Sequence, residues 1–380
     1  MDYTETSNWF EYNHTTMSGG TIKSKNNTFL KYYPFVSHGR IKSRPQNQSS
    51  KSIYELDNVK ENNSFYYPVI IPGNVMGKFN NALVLLHGLN EKSWLKYFAW
   101  AEYLSVNTGK PVIMFPISYH MNRAPKNWSN PKMVIKDVSR RKLTYVHTEL
   151  TSFANIAISE RLTSNPGRFF ISGHQSATDI ISLIDRIKTG NHPLFNKDSH
   201  VDFFAYSIGA LLAQVLFIAN TKNLFRESKY FFFCGGSVFE SMKGISKYIM
   251  DSKAYDTINS YYLNSIDRGF NKRDKLYHII SRTKLGKAFK ILLSFNNLNG
   301  ASENVFKKYH DNFMAIVLEK DLIIPTAGVI KTLEKSRLDI MNFPYNYTHE
   351  NPFPIFKGEK SKIVDKAFNQ VFKEASAFLR

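Results

Sequence analysis

The sequence predicts an α/β sandwich with a mostly parallel sheet and helices on both faces, and three observations carry that expectation. Apolar runs without alternation recur along the chain, at residues 82–86, 112–116, 203–206, 230–234 and 313–318. Runs of this kind suit strands covered on both faces. Segments with apolar residues at helical spacing lie between them, and strands alternating with helices argue for parallel pairing. The composition supports a packed core, since 43% of the 380 residues are hydrophobic and 21% are charged.

Residues 1–63 are rich in Asn, Ser, Thr and Lys and read as a loop-rich N-terminal arm, with residues 44–51 a loop. Two aromatic stretches, 29–35 and 65–71, read as short antiparallel strands bounded by Pro34, Pro68 and Pro72. Residues 64–235 form the first part of the core. In it, 93–106 is a helix closed by Gly109, 150–162 and 176–187 are helices, and 210–219 is a helix following a strand. Residues 236–311 interrupt the alternation and are too long for a simple connection, so they read as an aromatic, partly helical cap or lid insertion. Residues 312–380 complete the core, with helices at 327–333 and 362–379 and a last strand at 338–343.

The single Cys excludes an internal disulfide framework and a cysteine zinc cluster. No apolar run approaches the ~20 residues of a membrane helix. The polar, acidic start lacks the pattern of a signal peptide, so a soluble cytoplasmic protein is expected. Fifty Lys and Arg against 31 Asp and Glu give a net charge of +19. That charge fits either an anionic partner or a lysine-rich solvated surface, and the surface is the preferred reading. The basic residues are spread out, and the densest stretch, 123–142, has no aromatic-rich strand for stacking bases. Nucleic acid is therefore not an expected partner, and the oligomeric state is left open.

Chemistry concentrates in three segments. In Ala205-Tyr206-Ser207-Ile208-Gly209 a strand ends at a serine and a helix begins, a turn so crowded that the flanking positions must be small. The alternative is a capping serine. In Leu86-His87-Gly88-Leu89 a His-Gly pair ends an apolar strand, where open α/β sheets place ligands. There Gly88 lets the backbone turn, His87 supports the loop, and the N–H groups of Leu89 and Ile208 are placed to meet developing negative charge. Finally, Asp321 follows the strand at 313–318, and His349 is the only histidine beyond it. A carboxylate that orients the imidazole would let it take a proton from Ser207. A helix cap for Asp321 and a surface loop for His349 are the alternatives, as is Glu319 in place of Asp321.

Serine, aspartate and histidine each follow a separate strand, in that chain order, and His-Gly follows an earlier one. With these motifs the chain resembles the α/β-hydrolase superfamily from about residue 64 onward, with 236–311 in the position of its variable cap. Segments 87–94 and 115–123 are similar to an uncharacterised bacterial group within it that carries a domain of unknown function. The resemblance implies Ser207 as nucleophile, His349 as general base and acid, Asp321 as orienting acid, and Leu89 and Ile208 as oxyanion donors. It implies acyl transfer from a small-molecule ester or thioester to water, with no metal or cofactor. An acyltransferase with the same triad and a non-catalytic binding protein are the rival readings.

Other residues invite a role. His120 and Arg123 lie past the strand at 112–116, where Arg123 could hold a carboxylate or phosphate; a loop tied by side-chain hydrogen bonds is the preferred reading. Residues 172–176 look like a second serine site but read as a polar helix entry. Cys234 reads as a buried, inert thiol. His278 and His310 lack metal-ligand spacing.

Overall fold

A computed structural model describes residues 2–16, 20–39, 41, 54, 57–73, 77–266, 275–301 and 304–380; the loop expected at 44–51 lies outside them. The strands are β1 (Ile22–Lys23), β2 (Thr28–Val36), β3 (Ser64–Pro72), β4 (Phe79–Leu86), β5 (Val112–Met114), β6 (Phe195–Tyr206), β7 (Tyr230–Phe233), β8 (Phe313–Leu318) and β9 (Arg337–Met341). They form one sheet in the order β1-β2-β3-β5-β4-β6-β7-β8-β9. β1 to β3 pair antiparallel, β3 meets β5 antiparallel, and β5 through β9 are parallel. The two aromatic stretches pair as expected, Tyr33 opposite Tyr67.

The helices that surround the sheet include α1 (Tyr3–Thr16), α2 (Leu95–Thr108), α3 (Pro131–Thr144), α4 (Ile156–Ser164), α5 (Gly167–Lys188), α6 (Ile208–Ala219), α7 (Ser252–Asn259), α8 (Lys275–Arg282), α9 (Lys284–Ile291), α10 (Thr326–Thr332) and α11 (Glu359–Leu379). Side chains alternate across the strands, so each feeds two cores. Val84, Leu86, Phe203 and Ala205 pack with Ile180 and Ile184 of α5, whereas Leu83, Leu85 and Phe204 pack with Phe98 of α2 and Phe372 of α11. This double cover is why the runs show no alternation. Gly109 ends α2 in the left-handed region (φ 70°), where a side chain would be strained.

The structure departs from the sequence reading in three places. The N-terminal arm contains a helix, α1. Tyr3 stacks on Phe368 (4.3 Å), Phe10 stacks on Phe98 (5.2 Å), and the backbone N–H and hydroxyl of Thr4 donate to Asp365 Oδ1 at 2.8 and 2.9 Å. The helix is thus held by tertiary contacts with α2 and α11. The polar entry at 172–176 is mid-helix, because α5 runs unbroken from 167 through Gly173, at a cost of only about 1 kcal/mol relative to Ala. Residues 150–155 are turns: Asn155 accepts from the Ser152 N–H and donates to Leu150 O, and α4 starts only at 156.

Two long excursions leave the sheet, after β5 and after β7. They are fastened together. Buried Arg141 of α3 pairs with Asp251 before α7 (Nε–Oδ2 2.5 Å, Nη2–Oδ1 2.9 Å), and Thr151 and Ser159 complete the set.

Candidate active site

Ser207 sits between β6 and α6 with φ 57° and ψ −124°, far from ordinary strand or helix geometry for a residue with a side chain. Its surroundings enforce the turn. A Cβ on Gly209 would lie 2.7 Å from Leu86 O and 2.9 Å from His87 O, so only glycine fits. A Cβ on Gly235 would lie 2.9 Å from Ser207 O, a constraint that sequence reasoning missed.

The three distant residues meet. His349 Nε2 lies 2.6 Å from Ser207 Oγ, and Nδ1 lies 2.7 Å from Asp321 Oδ2. The other Asp321 oxygen, Oδ1, accepts the Ile323 and Ile324 N–H groups at 2.9 Å each. An ionised carboxylate only accepts, so Nδ1 carries the imidazole proton and Nε2 offers its lone pair to the serine hydroxyl. The residues are buried, with Ser207 3% exposed and Asp321 and His349 5% each. Glu319, the other acid considered, is exposed. Cys234, at the end of β7, lies beside Asp321; burial first, then that carboxylate, hold its thiol far above the usual range. No pattern in the sequence pointed to that contact.

The loop after β4 supplies the backbone. The Gly88 N–H donates to Tyr97 Oη (3.1 Å). The N–H groups of Leu89 and Ile208 have no acceptor among the described residues. Both residues line the cavity that contains Ser207, with walls including Phe169, Met250 and Ile323. His87 ties the loop down: its Nε2 accepts the Ile117 N–H (2.9 Å) and its Nδ1–H donates to Gly88 O (2.8 Å). Burial pushes its pKa well below the usual histidine range, which keeps it neutral.

The two residues named as possible substrate contacts part company. His120 lines a second, larger cavity. Arg123 does not line either cavity, which corrects that expectation. It is 0% exposed, pairs with Asp179 (2.8 Å), donates to Pro116 O and Asn62, and stacks on Phe65 (4.2 Å). The hydrogen-bonded-loop reading is the one the structure matches. Ser176, in the rival serine segment, donates to Ser172 O inside α5.

Tyr206 and Lys96 were missed. The Tyr206 ring stacks on His349 (5.5 Å, 14°), and its hydroxyl donates to His349 O. Lys96 lies 4.9 Å over the Tyr206 ring, bonds Glu91 of the β4 loop, and donates to Glu350 O at 2.9 Å. It thereby links the loop bearing Leu89 to the loop bearing His349. Lys96→Met is expected to lower kcat for a turned-over ester by about 10–100-fold through small displacements of His349. KM should change little, and Lys96→Arg should restore part of the loss. A lower Tm with kcat intact would reduce Lys96 to a purely structural tie.

Strand order, strand-to-helix serine turn and chain order of the converging groups define an α/β-hydrolase fold. The chain belongs to a family of unknown function (DUF6051), whose model matches residues 15–380. No functionally curated protein matches it. Among solved structures it is similar to carboxyl esterase 2 from the fungus Tuber melanosporum (10% identity, TM-score 0.45, covering 98% of this chain and 97% of that one). It is also similar to a mutant of esterase rPPE (10% identity, TM-score 0.46, 100% and 98%). A third is the peroxisomal α/β-hydrolase Lpx1 from Saccharomyces cerevisiae (14% identity, TM-score 0.42, 93% and 89%). Among the described residues, no helix is long and apolar enough to cross a membrane.

Proposed function

We propose that this protein is a serine hydrolase that cleaves a carboxylic ester or thioester through an acyl-enzyme. The observation that carries the reading is the unbroken relay from Asp321 through His349 to Ser207, with the 2.6 Å contact at Oγ. In this mechanism Ser207 Oγ attacks the substrate carbonyl carbon while His349 Nε2 takes the hydroxyl proton. The carbonyl oxygen becomes an oxyanion and receives the N–H groups of Leu89 and Ile208. Asp321 stabilises the imidazolium. His349 then returns the proton to the departing alkoxide or thiolate as the C–O or C–S bond breaks. Water, deprotonated by the same nitrogen, attacks the acyl-enzyme, and Ser207 leaves with its proton restored.

The apolar walls of the Ser207 cavity suit the uncharged part of such a substrate. A fluorophosphonate probe is expected to label the protein at Ser207, with peptide mapping locating the adduct. Folded protein that resists the probe, or is labelled elsewhere, would contradict the reading and favour a binding protein built on this fold.

A further inference from the structure

Leu89, Phe169 and Ile208 border two cavities. One contains Ser207. The other is larger, and its wall is mainly apolar, with Ile117, Trp128, Leu162, Phe170 and Leu211 among its residues. A few polar side chains are set into that wall. Most have their donors committed to protein acceptors: Arg168 Nε to Asp57 (2.8 Å), Arg161 to Tyr54 O (2.6 Å) and Asp57 (3.1 Å), Tyr119 Oη to Asp57 O (2.8 Å), and Ser172 Oγ to Ser118 O (2.9 Å).

Lys92 and His120 differ, as does His174 of α5, whose Nδ1 is likewise buried without a partner among the described residues; the first two lie on adjoining loops. The backbone bond from the Met121 N–H to Glu91 O (3.0 Å) joins their two loops, and each is the immediate neighbour of one of those bonded residues. His120 is 5% exposed, and its Nδ1 lies 2.9 Å from Ser118 O. A carbonyl oxygen only accepts, so the proton sits on Nδ1 and Nε2 is a bare acceptor. That nitrogen is buried with no partner among the described residues. Lys92 is half-buried and has neither an ion pair nor a hydrogen bond among them. Burial pushes the Lys92 pKa down to about 8 and that of His120 to about 3, so near neutral pH the first remains mainly a donor and the second stays neutral. A buried, unpaired acceptor such as His120 Nε2 is costly in an apolar chamber, which makes the identity of the group that pairs with it decisive.

Three kinds of chain end can be compared. An alkyl end leaves both groups unpaired. A carboxylate satisfies Lys92 but turns acceptor oxygens toward the lone pair of His120. A hydroxyl accepts from the ammonium and donates to the imidazole, so it satisfies both. We propose that the large cavity holds the apolar chain of the substrate and that Lys92 and His120 recognise a hydroxyl at its end. The proposal rests on the hydrolase reading above for what is cleaved, and on the cavity alone for what is bound.

The test compares p-nitrophenyl ω-hydroxyalkanoates of increasing chain length with the parent alkanoates and with monoesters of the corresponding diacids. At the chain length that reaches the pair, kcat/KM for the hydroxy ester should exceed that for the parent ester by about 10–100-fold. Lys92→Met should bring that ratio toward one. So should His120→Asn, which keeps a donor for Ser118 O and deletes the Nε2 acceptor. The Ser207→Ala protein, titrated calorimetrically with the matching methyl esters, should show the same preference in Kd. Equal treatment of hydroxy and parent esters at every length, or a preference for the diacid monoesters, would overturn the proposal. If the wild type turns over no ester while the calorimetric preference holds, the hydrolase reading fails and the recognition site stands.

Discussion

Replacing Ser207 by alanine is expected to lower ester turnover by about 10⁴–10⁶-fold while leaving the fold unchanged. The activity loss follows from the relay, because Oγ is the atom paired with His349 Nε2 and alanine leaves nothing there to accept the acyl group. The intact fold follows from local energetics. Alanine keeps the Cβ that the turn already accommodates at φ 57°, so the backbone strain at 207 is carried over rather than added. What is lost is one hydrogen bond, a net contribution of about 1 kcal/mol. Removing a buried hydroxyl from a strained functional turn offsets part of that. Tm from calorimetry and the kcat of a p-nitrophenyl ester decide the matter together. Turnover within about tenfold of the wild type, well short of what losing a nucleophile costs, would remove Ser207 from the chemistry.

The reason such a variant was identifiable from sequence is steric. Ala205 and Gly209 flank Ser207 because the β6–α6 turn leaves no room, and that requirement is local enough to be written in five consecutive residues. Asp321 and His349 were legible for a different reason: each lies in a connection just after a strand, and the parallel sheet brings those connections to the same end. Contacts created only by packing were not legible. The phenol of Tyr206, at the end of β6, reaches His349 O because the loop after β9 folds back over the end of the sheet, and Lys96 of α2 reaches Glu350 of the same loop. Cys234 was read correctly as buried, but its place beside Asp321 depends on the neighbouring β7–β8 register, which the sequence does not encode locally.

The same division explains the other departures. α1 has a polar composition, and its helical state rests on Tyr3 and Phe10 meeting aromatic residues far along the chain. Arg123 carried the charge expected of a substrate contact, yet Asp179 of α5 and Asn62 before β3 hold it inside the protein. A guanidinium fork is equally suited to either task, so residue type could not separate them. The excursion after β5 was expected only as helices of the core, not as part of a cavity wall. Its helices α4 and α5 furnish Leu162 and Phe170 to the large cavity, together with Leu211 of α6. The chamber is therefore formed by parts of the chain that no single apolar pattern connects.

Asp321→Asn is expected to lower kcat by about 10⁴-fold, nearly as much as loss of the nucleophile, although only one atom changes. The backbone fixes the outcome. The N–H groups of Ile323 and Ile324 both point at Oδ1, so the amide oxygen of an asparagine must take that position and its NH₂ must take the place of Oδ2. The group 2.7 Å from His349 Nδ1 then becomes a donor. Nδ1 can meet it only as an acceptor, which moves the imidazole proton to Nε2. That nitrogen would then face the Ser207 hydroxyl with a proton instead of a lone pair, so the base is present in the wrong tautomer and the serine is not activated. Volume and packing are conserved, which predicts a Tm near that of the wild type and slow fluorophosphonate labelling of a folded protein. Rapid labelling with near-normal kcat would mean that Asp321 neither sets the tautomer nor stabilises the imidazolium, and the relay would lose its third member.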